Sequence, residues 1–230
     1  MTLVKICGIS DPKHARLAAA FGADFIGVVF APSKRQVTLG QAKRIAAALG
    51  KQPGALMRNA DAPAIEAALR GRRPLLVGVF ADQDPDTVNS IADEVGLDLV
   101  QLSGSEPWEV NEHIHRPILK CMKVRENETA EQLMTHFHTG AVLLLDPFVP
   151  GTYGGTGRTL DWHVAAAVAR QTPTVLAGGL TPANVAEAVA TVQPWAVDVS
   201  SGVETDGAKN PAKIRAFIAA AKDAAAERSA

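Results

Sequence analysis

A cysteine and an aspartate each close a short apolar run that has the length of a buried β-strand. Cys7 ends Leu3–Cys7, and Asp146 ends Ala141–Asp146. A thiol, whose free pKa is about 8.5, can act as a base at neutral pH once nearby positive charge or helix N–H groups lower that value. A carboxyl group at the edge of a dry environment has a raised pKa and can keep a proton for general acid work. Cys7 and Asp146 are therefore candidates for a base and an acid, although a buried small hydrophobe and a turn residue are the alternative interpretations.

Two further charges lie inside apolar runs. Lys5 stands two residues before Cys7 and projects from the same face of the predicted strand, so its charge could influence the thiol. A lysine in a buried strand itself needs a partner of opposite charge. Asp198, in the last apolar run, is the predicted partner if the first and last strands are neighbours.

Two glycine-containing turns follow the last two apolar runs. Gly178 and Gly179 come after the seventh run, and Ser201 and Gly202 come after the eighth. Turns of this kind that lead into a helix expose backbone N–H groups at the positive end of the helix dipole, where a phosphate dianion binds well. Glycines can also serve only to permit tight turns, but their occurrence in consecutive units favours a phosphate site.

The elements that must position these residues alternate along the chain. Short apolar runs are followed by alanine-rich segments with helical spacing, as in a parallel sheet that is buried on both faces. The runs are Leu3–Cys7, Phe25–Phe30, Leu75–Phe80, Asp98–Leu102, Pro117–Val124, Ala141–Asp146, Thr174–Ala177 and Ala196–Ser200. The helices are predicted over residues 11–21, 39–49, 85–95, 106–114, 128–138, 161–170, 181–191 and 210–226.

This eight-fold repeat favours an α/β fold of the (β/α)₈, or TIM-barrel, class with a parallel eight-stranded sheet. An open doubly wound sheet is the competing interpretation, but the Gly-x-Gly-x-x-Gly sequence expected after its first strand is absent. We expect a single catalytic domain over residues 1–230 with a surface insertion near residues 50–73, in which Ala64–Arg70 could add a helical turn. Residues at the carboxyl ends of such strands face one active site, which would bring together Cys7 and Asp146.

Composition limits the class of protein. Among 230 residues, 47% are hydrophobic and 20% are charged, which fits a globular enzyme with a sizeable core. The net charge of −1 gives no support for binding to nucleic acid or to an anionic membrane surface. The sequence contains no signal-peptide pattern and no long apolar span, and two cysteines are too few for a disulfide framework, so we expect a cytoplasmic protein. The histidines are scattered over helical segments without metal-ligand spacing, so we expect no metal site.

Several motifs together resemble the phosphoribosylanthranilate isomerases of tryptophan biosynthesis. The resemblance spans nearly the whole chain in the right order. It is carried by Lys5-Ile-Cys-Gly-Ile, Phe30-Ala-Pro-Ser-Lys-Arg, Asp146 followed by Tyr153-Gly-Gly-Thr-Gly, Leu176-Ala-Gly-Gly-Leu-Thr-Pro-Ala-Asn-Val and Val197-Asp-Val-Ser-Ser-Gly-Val-Glu.

The resemblance implies an Amadori rearrangement of a phosphosugar substrate without a metal or cofactor, in a monomer or homodimer. Asp146 would protonate the furanose ring oxygen, and Cys7 would remove the proton from the sugar C2 carbon. Arg35 would contact the substrate near the reacting sugar and the anthranilate. Gly155, Gly178, Gly179, Ser201 and Gly202 would contribute to the phosphate site.

Two segments depart from the family pattern. Ser103 stands where a histidine is frequent, and the insertion Gly50–Arg73 is longer than usual. The histidine-pathway aminoaldose isomerases are an alternative, but they carry an aspartate where this chain has Cys7. A catalytically silent barrel that serves as a binding subunit is a third interpretation.

Overall fold

The computed structural model describes residues 2–51, 58, 60–72, 74–149 and 159–227. Eight strands pair in the order β1 to β8 and form a closed barrel. Pairings between consecutive strands, and between β1 and β8, are parallel. The strands are β1 (Leu3–Ile6), β2 (Phe25–Val29), β3 (Leu75–Phe80), β4 (Leu99–Leu102), β5 (Ile118–Val124), β6 (Val142–Pro147), β7 (Thr174–Leu176) and β8 (Ala196–Val199). The predicted fold class, an eight-stranded parallel (β/α)₈ barrel, is confirmed.

Helices alternate with these strands. They are α1 (Pro12–Ala20), α2 (Leu39–Ala48), α3 (Ala62–Arg72), α4 (Pro85–Val95), α5 (Ala130–Thr135), α6 (Trp162–Ala169), α7 (Val185–Val192) and α8 (Pro211–Glu227). A 3-10 helix, Trp108–His113, lies between β4 and β5, and a second one, Ser201–Val203, follows β8. The short strands β9 (Glu204–Thr205) and β10 (Ala208–Lys209) form an antiparallel hairpin before α8.

Local sequence explains where the elements begin. The continuous apolar strands are buried along nearly their whole length, as expected for a sheet covered on both faces. Thr38 and Gln41 form a capping box at the start of α2, and Asp84 caps α4, whose first residue is Pro85. These caps satisfy backbone N–H groups that the first helical turn leaves without partners.

The chain divides into two compact units. The first unit contains Met1–Ile6, Cys121–Phe137 and Leu143–Ala230, and therefore β1, most of β5 and of β6, and β7 and β8. The second unit contains Cys7–Lys120 and His138–Val142, and therefore β2 to β4.

The sequence predicts the strands better than the helices. Each predicted strand is present, with its ends displaced by no more than one residue. The predicted helix over residues 106–114 is a 3-10 helix, and the β9–β10 hairpin was not predicted. The insertion near residues 50–73 contains the full helix α3, where the sequence suggested only a helical turn.

Asp98, at the start of β4, anchors the ends of this insertion within the second unit. Its fully buried carboxylate lies 2.9 Å from Nζ of Lys51 and 2.8 Å from Nη2 of Arg72. The backbone N–H of Leu76 donates a hydrogen bond of 2.8 Å to the same carboxylate. Lys51 precedes the insertion's helix and Arg72 ends it, so one aspartate ties both to the strands.

We expect Asp98→Asn to lower the free energy of unfolding by about 3 kcal/mol, because breaking a buried ion pair leaves charges without a counter-ion. Burial already lowers the pKa of Lys51, which Asp98 opposes. Urea denaturation followed by circular dichroism measures the loss. Lys43→Ala, which removes an exposed ion pair to Glu94, is the matched control and should leave the unfolding midpoint in place. Equal midpoints for Asp98→Asn and wild type would contradict the anchoring role.

Candidate active site

Lys5 and Asp198 form a buried ion pair in the first unit. They are register partners on β1 and β8, and Nζ of Lys5 donates a hydrogen bond of 3.0 Å to Oδ1 of Asp198. Lys5 is fully buried, and the Asp198 side chain is 10% exposed. The pairing predicted from the two charges in apolar strands is thus confirmed, whereas their part in catalysis stays a prediction.

Asp146 is paired with a lysine that the sequence analysis did not single out. Lys123, on β5, donates a hydrogen bond of 2.6 Å from Nζ to Oδ2 of Asp146, on β6. The two side chains are 20% and 11% exposed. The signal was available, because Lys123 stands in a run whose other residues are mostly apolar, as Lys5 does.

Opposing effects act on the proton affinity of Asp146. Burial raises the pKa of this carboxyl group above its usual range, and the neighbouring Lys123 opposes the rise. Asp198 raises the pKa further, whereas Lys5 lowers it. The net direction is upward, so Asp146 keeps its proton to a higher pH than an ordinary aspartate. This is the direction that the sequence predicts for a general acid.

The turns after β7 and β8 approach each other closely, also in the first unit. A Cβ atom on Gly202 would overlap the carbonyl oxygen of Leu180. Gly178 and Gly179 both have positive φ, 87° and 60°, a conformation that favours glycine. Asn184 fixes the β7 turn, since its side chain donates to the Gly179 carbonyl at 3.1 Å and accepts from the Thr181 N–H at 2.7 Å.

The β9–β10 hairpin stabilises the turn after β8 through a lysine on β10. Nζ of Lys209 donates to the Ser200 carbonyl at 2.8 Å and to Oε1 of Glu204 at 2.9 Å. Both Lys209 and Glu204 have nearly buried side chains, 4% and 7% exposed. Their charge pair therefore fixes the backbone directly before Ser201 and Gly202.

Cys7 and Arg35 belong to the second unit. Cys7 is a free thiol that follows β1, and it is buried among Val29, Ala31, Val79 and Ala81. Arg35 lies in the turn after β2, where its backbone N–H donates to Oγ of Ser33 at 3.1 Å. Within the first unit, the structure brings together the side chains of Asp146, Lys123, Lys5 and Asp198. It also brings the two glycine turns close to each other.

The remaining predicted site features have different outcomes. Gly155 lies outside the described residues. Ser103, where the family pattern often has histidine, is buried and accepts a hydrogen bond of 2.9 Å from Gln101. In the described residues, no cluster of three or more histidine, cysteine, aspartate or glutamate side chains could hold a metal ion. Each helix in the same part of the chain is too short or too polar to span a membrane.

Comparison with known proteins gives a consistent result. A family model described as N-(5′-phosphoribosyl)anthranilate (PRA) isomerase matches residues 55–220. A protein of Roseiflexus castenholzii named N-(5′-phosphoribosyl)anthranilate isomerase is 44% identical over 225 residues, which cover 97% of this chain and 99% of that protein. A protein of the same name from Roseiflexus sp. is 45% identical over 227 residues, covering 98% and 100%.

Solved structures agree with these relatives. Phosphoribosyl anthranilate isomerase from Thermotoga maritima has a TM-score of 0.79 at 33% identity, covering 97% of this chain and 100% of that one. A second such isomerase has a TM-score of 0.76 at 32% identity, with the same coverage. It is in complex with reduced 1-(o-carboxyphenylamino)-1-deoxyribulose 5-phosphate.

The contact of Gly202 with Leu180 makes the paired turns testable. We expect Gly202→Ala to weaken binding of inorganic phosphate by about tenfold, equivalent to roughly 1.4 kcal/mol, because the added methyl group must displace the β7 turn. Isothermal titration calorimetry measures the change. Gly71→Ala, whose methyl group meets no atom within 4 Å, is the control and should bind phosphate as wild type does. Unchanged phosphate affinity in Gly202→Ala would argue against a phosphate site at these turns.

Proposed function

This chain belongs to the N-(5′-phosphoribosyl)anthranilate isomerase family, and from that premise we propose that Asp146 and Cys7 are the acid and base of its reaction. The chain is an isomerase of tryptophan biosynthesis, which converts N-(5′-phosphoribosyl)anthranilate into 1-(2-carboxyphenylamino)-1-deoxyribulose 5-phosphate. The observation that carries the proposal is a buried aspartate at the end of β6 that lies in contact with Lys123.

The first step opens the sugar ring. Asp146 transfers its proton to the furanose ring oxygen, the bond from that oxygen to C1 breaks, and the nitrogen lone pair forms a C1=N double bond. The products of this step are a protonated Schiff base and the Asp146 carboxylate. Burial supports this role, because it keeps the carboxyl protonated at a pH where an exposed aspartate has ionised.

The second step moves a proton from carbon. The Cys7 thiolate removes the proton from C2, and the electrons of that C–H bond form the C1–C2 double bond of an enolamine, while the π electrons of the C1=N bond return to nitrogen. Protonation of C1 and loss of the hydroxyl proton then give the ketone. The position of Cys7 directly after β1 supports this assignment, since the reacting groups of such barrels stand at the carboxyl ends of strands.

The glycine turns after β7 and β8 are the proposed phosphate site. Gly178, Gly179, Ser201 and Gly202 offer backbone that an anion can approach closely, as the last two βα units of these barrels commonly do. Gly155 is assigned to the same site. Arg35 is proposed to contact the substrate near the sugar and the anthranilate, where a guanidinium group can donate two parallel hydrogen bonds to a carboxylate.

We expect a cytoplasmic enzyme that needs no metal or cofactor and acts as a monomer or homodimer. A solved relative from Thermotoga maritima is a dimeric isomerase that has also been obtained as monomers.

We expect Cys7→Ala and Asp146→Asn each to lower kcat by at least about 100-fold, because each removes one proton-transfer group. The rate is measured from the loss of N-(5′-phosphoribosyl)anthranilate fluorescence as this substrate is consumed. Asp93→Asn, which removes only a partly exposed ion pair to Arg116, is the control and should keep wild-type turnover. Turnover within a few-fold of wild type in either active-site variant would refute the role of that residue.

The dependence of kcat/KM on pH should be bell-shaped. Activity requires a thiolate and a protonated carboxyl group, so it is lost when low pH protonates the first and when high pH ionises the second. Since burial raises the pKa of Asp146, the ionisation of this carboxyl group should lie above the usual carboxyl range of about 4. Rates measured between pH 4 and 10 provide the test, and a profile with a single ionisation would contradict a paired acid and base.

A further inference from the structure

Lys123 makes the closest contact to the proposed acid. Its Nζ atom lies 2.6 Å from Oδ2 of Asp146, a short distance that is typical of a charge-assisted hydrogen bond. Both groups lie in strands, where backbone pairing limits their movement. The ammonium group therefore restrains one carboxyl oxygen of Asp146.

The other cation in the barrel strands of the first unit, Lys5 on β1, already has its own partner. Lys5 donates to Asp198 at 3.0 Å, so its charge is compensated by that carboxylate. Lys123 is thus the cation that contacts Asp146 directly. The charges of Lys5 and Asp198 also act on the pKa of Asp146, in opposite directions.

Among these four side chains, only Asp146 changes its charge in the first step of the proposed reaction. Asp146 is neutral before it gives its proton to the ring oxygen and carries a negative charge afterwards. A buried carboxylate near Asp198 would be costly without a counter-ion, because water is largely excluded there. Fixed charges aimed at a site where charge develops are the most effective kind of electrostatic stabilisation.

We propose that Lys123 is a positioning residue for the acid: it holds Asp146 through Oδ2 and stabilises the negative charge that Asp146 acquires when its proton goes to the substrate. This inference rests on the proposed role of Asp146. The charged groups that act on Asp146 among the described residues are Lys123 from β5, Asp198 from β8 and Lys5 from β1. Cys121, also on β5, interacts with Lys123.

The test is the pH profile of Lys123→Met. Without the ammonium group the carboxyl becomes a weaker acid, so kcat should fall by about tenfold at pH values where Asp146 is protonated. The same change lets Asp146 keep its proton longer, so the alkaline limb should move up by at least about one pH unit. Lys123→Arg, which keeps the positive charge, should restore both features in large part. KM should change little in both variants.

A direct measurement separates this electrostatic role from a structural one. Carbon-13 NMR of labelled aspartate carboxyl groups, assigned with Asp146→Asn, should give a higher pKa for Asp146 in Lys123→Met than in wild type. Lys120→Met is the matched control, since Lys120 is also buried in β5, projects from the opposite face and pairs with Glu106. It should leave the pKa of Asp146 unchanged. If Lys123→Met does not fold, Lys123→Gln, which keeps a hydrogen-bond donor without the charge, takes its place.

The outcomes distinguish this inference from the proposed function. An active Asp146→Asn variant would overturn the role of Asp146 itself. An inactive Asp146→Asn together with a wild-type pH profile and carboxyl pKa in the Lys123 variants would overturn the role of Lys123 alone. A fall in kcat without movement of the alkaline limb would also overturn it, because a merely structural defect has that effect.

Discussion

The burial of charge in the strands of the first unit is the constraint on which the site depends. A lysine or aspartate removed from water without a partner destabilises the fold by several kcal/mol, so each buried cation must lie beside a carboxylate. Strand register provides this for Lys5, which is paired directly with Asp198 across β1 and β8. Lys123 on β5 lies beside Asp146 on the neighbouring strand β6. The strands of the first unit therefore carry two lysine–aspartate ion pairs, and the hydrogen-bonded backbone of the strands fixes their positions.

The conformation of the glycine turns depends instead on the absence of a side chain. Gly202 lies so close to the Leu180 carbonyl that no Cβ atom fits, and Gly178 and Gly179 adopt left-handed backbone conformations. Polar side chains then hold the backbone from outside, with Asn184 on one turn and Lys209 next to the other. The rigidity of these turns thus comes from the residues around them, as the proposed phosphate site requires.

Much of the fold and part of the site follow from the sequence, for identifiable reasons. Continuous apolar runs such as Leu75–Phe80 define the strands well, because both faces are buried and polar residues are excluded. Helix type was less predictable: Trp108–His113 has helical composition, but it forms a 3-10 helix, and α3 was underestimated within a segment that has weak periodicity. The Lys5–Asp198 pair could be predicted, because the first and last strands of a closed barrel are neighbours. Lys123 was missed although it stands in a mostly apolar run, because a lysine near the end of a strand is usually exposed.

If Asp146 is the acid, as proposed above, its contact with Lys123 also resolves a conflict in the requirements for that role. Burial alone would raise the pKa of Asp146 and make it a reluctant donor, because its carboxylate would be poorly stabilised once the proton had left. A fully compensating cation would instead keep the group ionised and leave it no proton to give. With Lys123 at 2.6 Å and Asp198 opposing it, the pKa of Asp146 stays above that of an exposed aspartate while a counter-ion is already in place for the product of proton transfer. An acid in a dry environment needs both effects at once, a raised pKa and a counter-ion for its conjugate base.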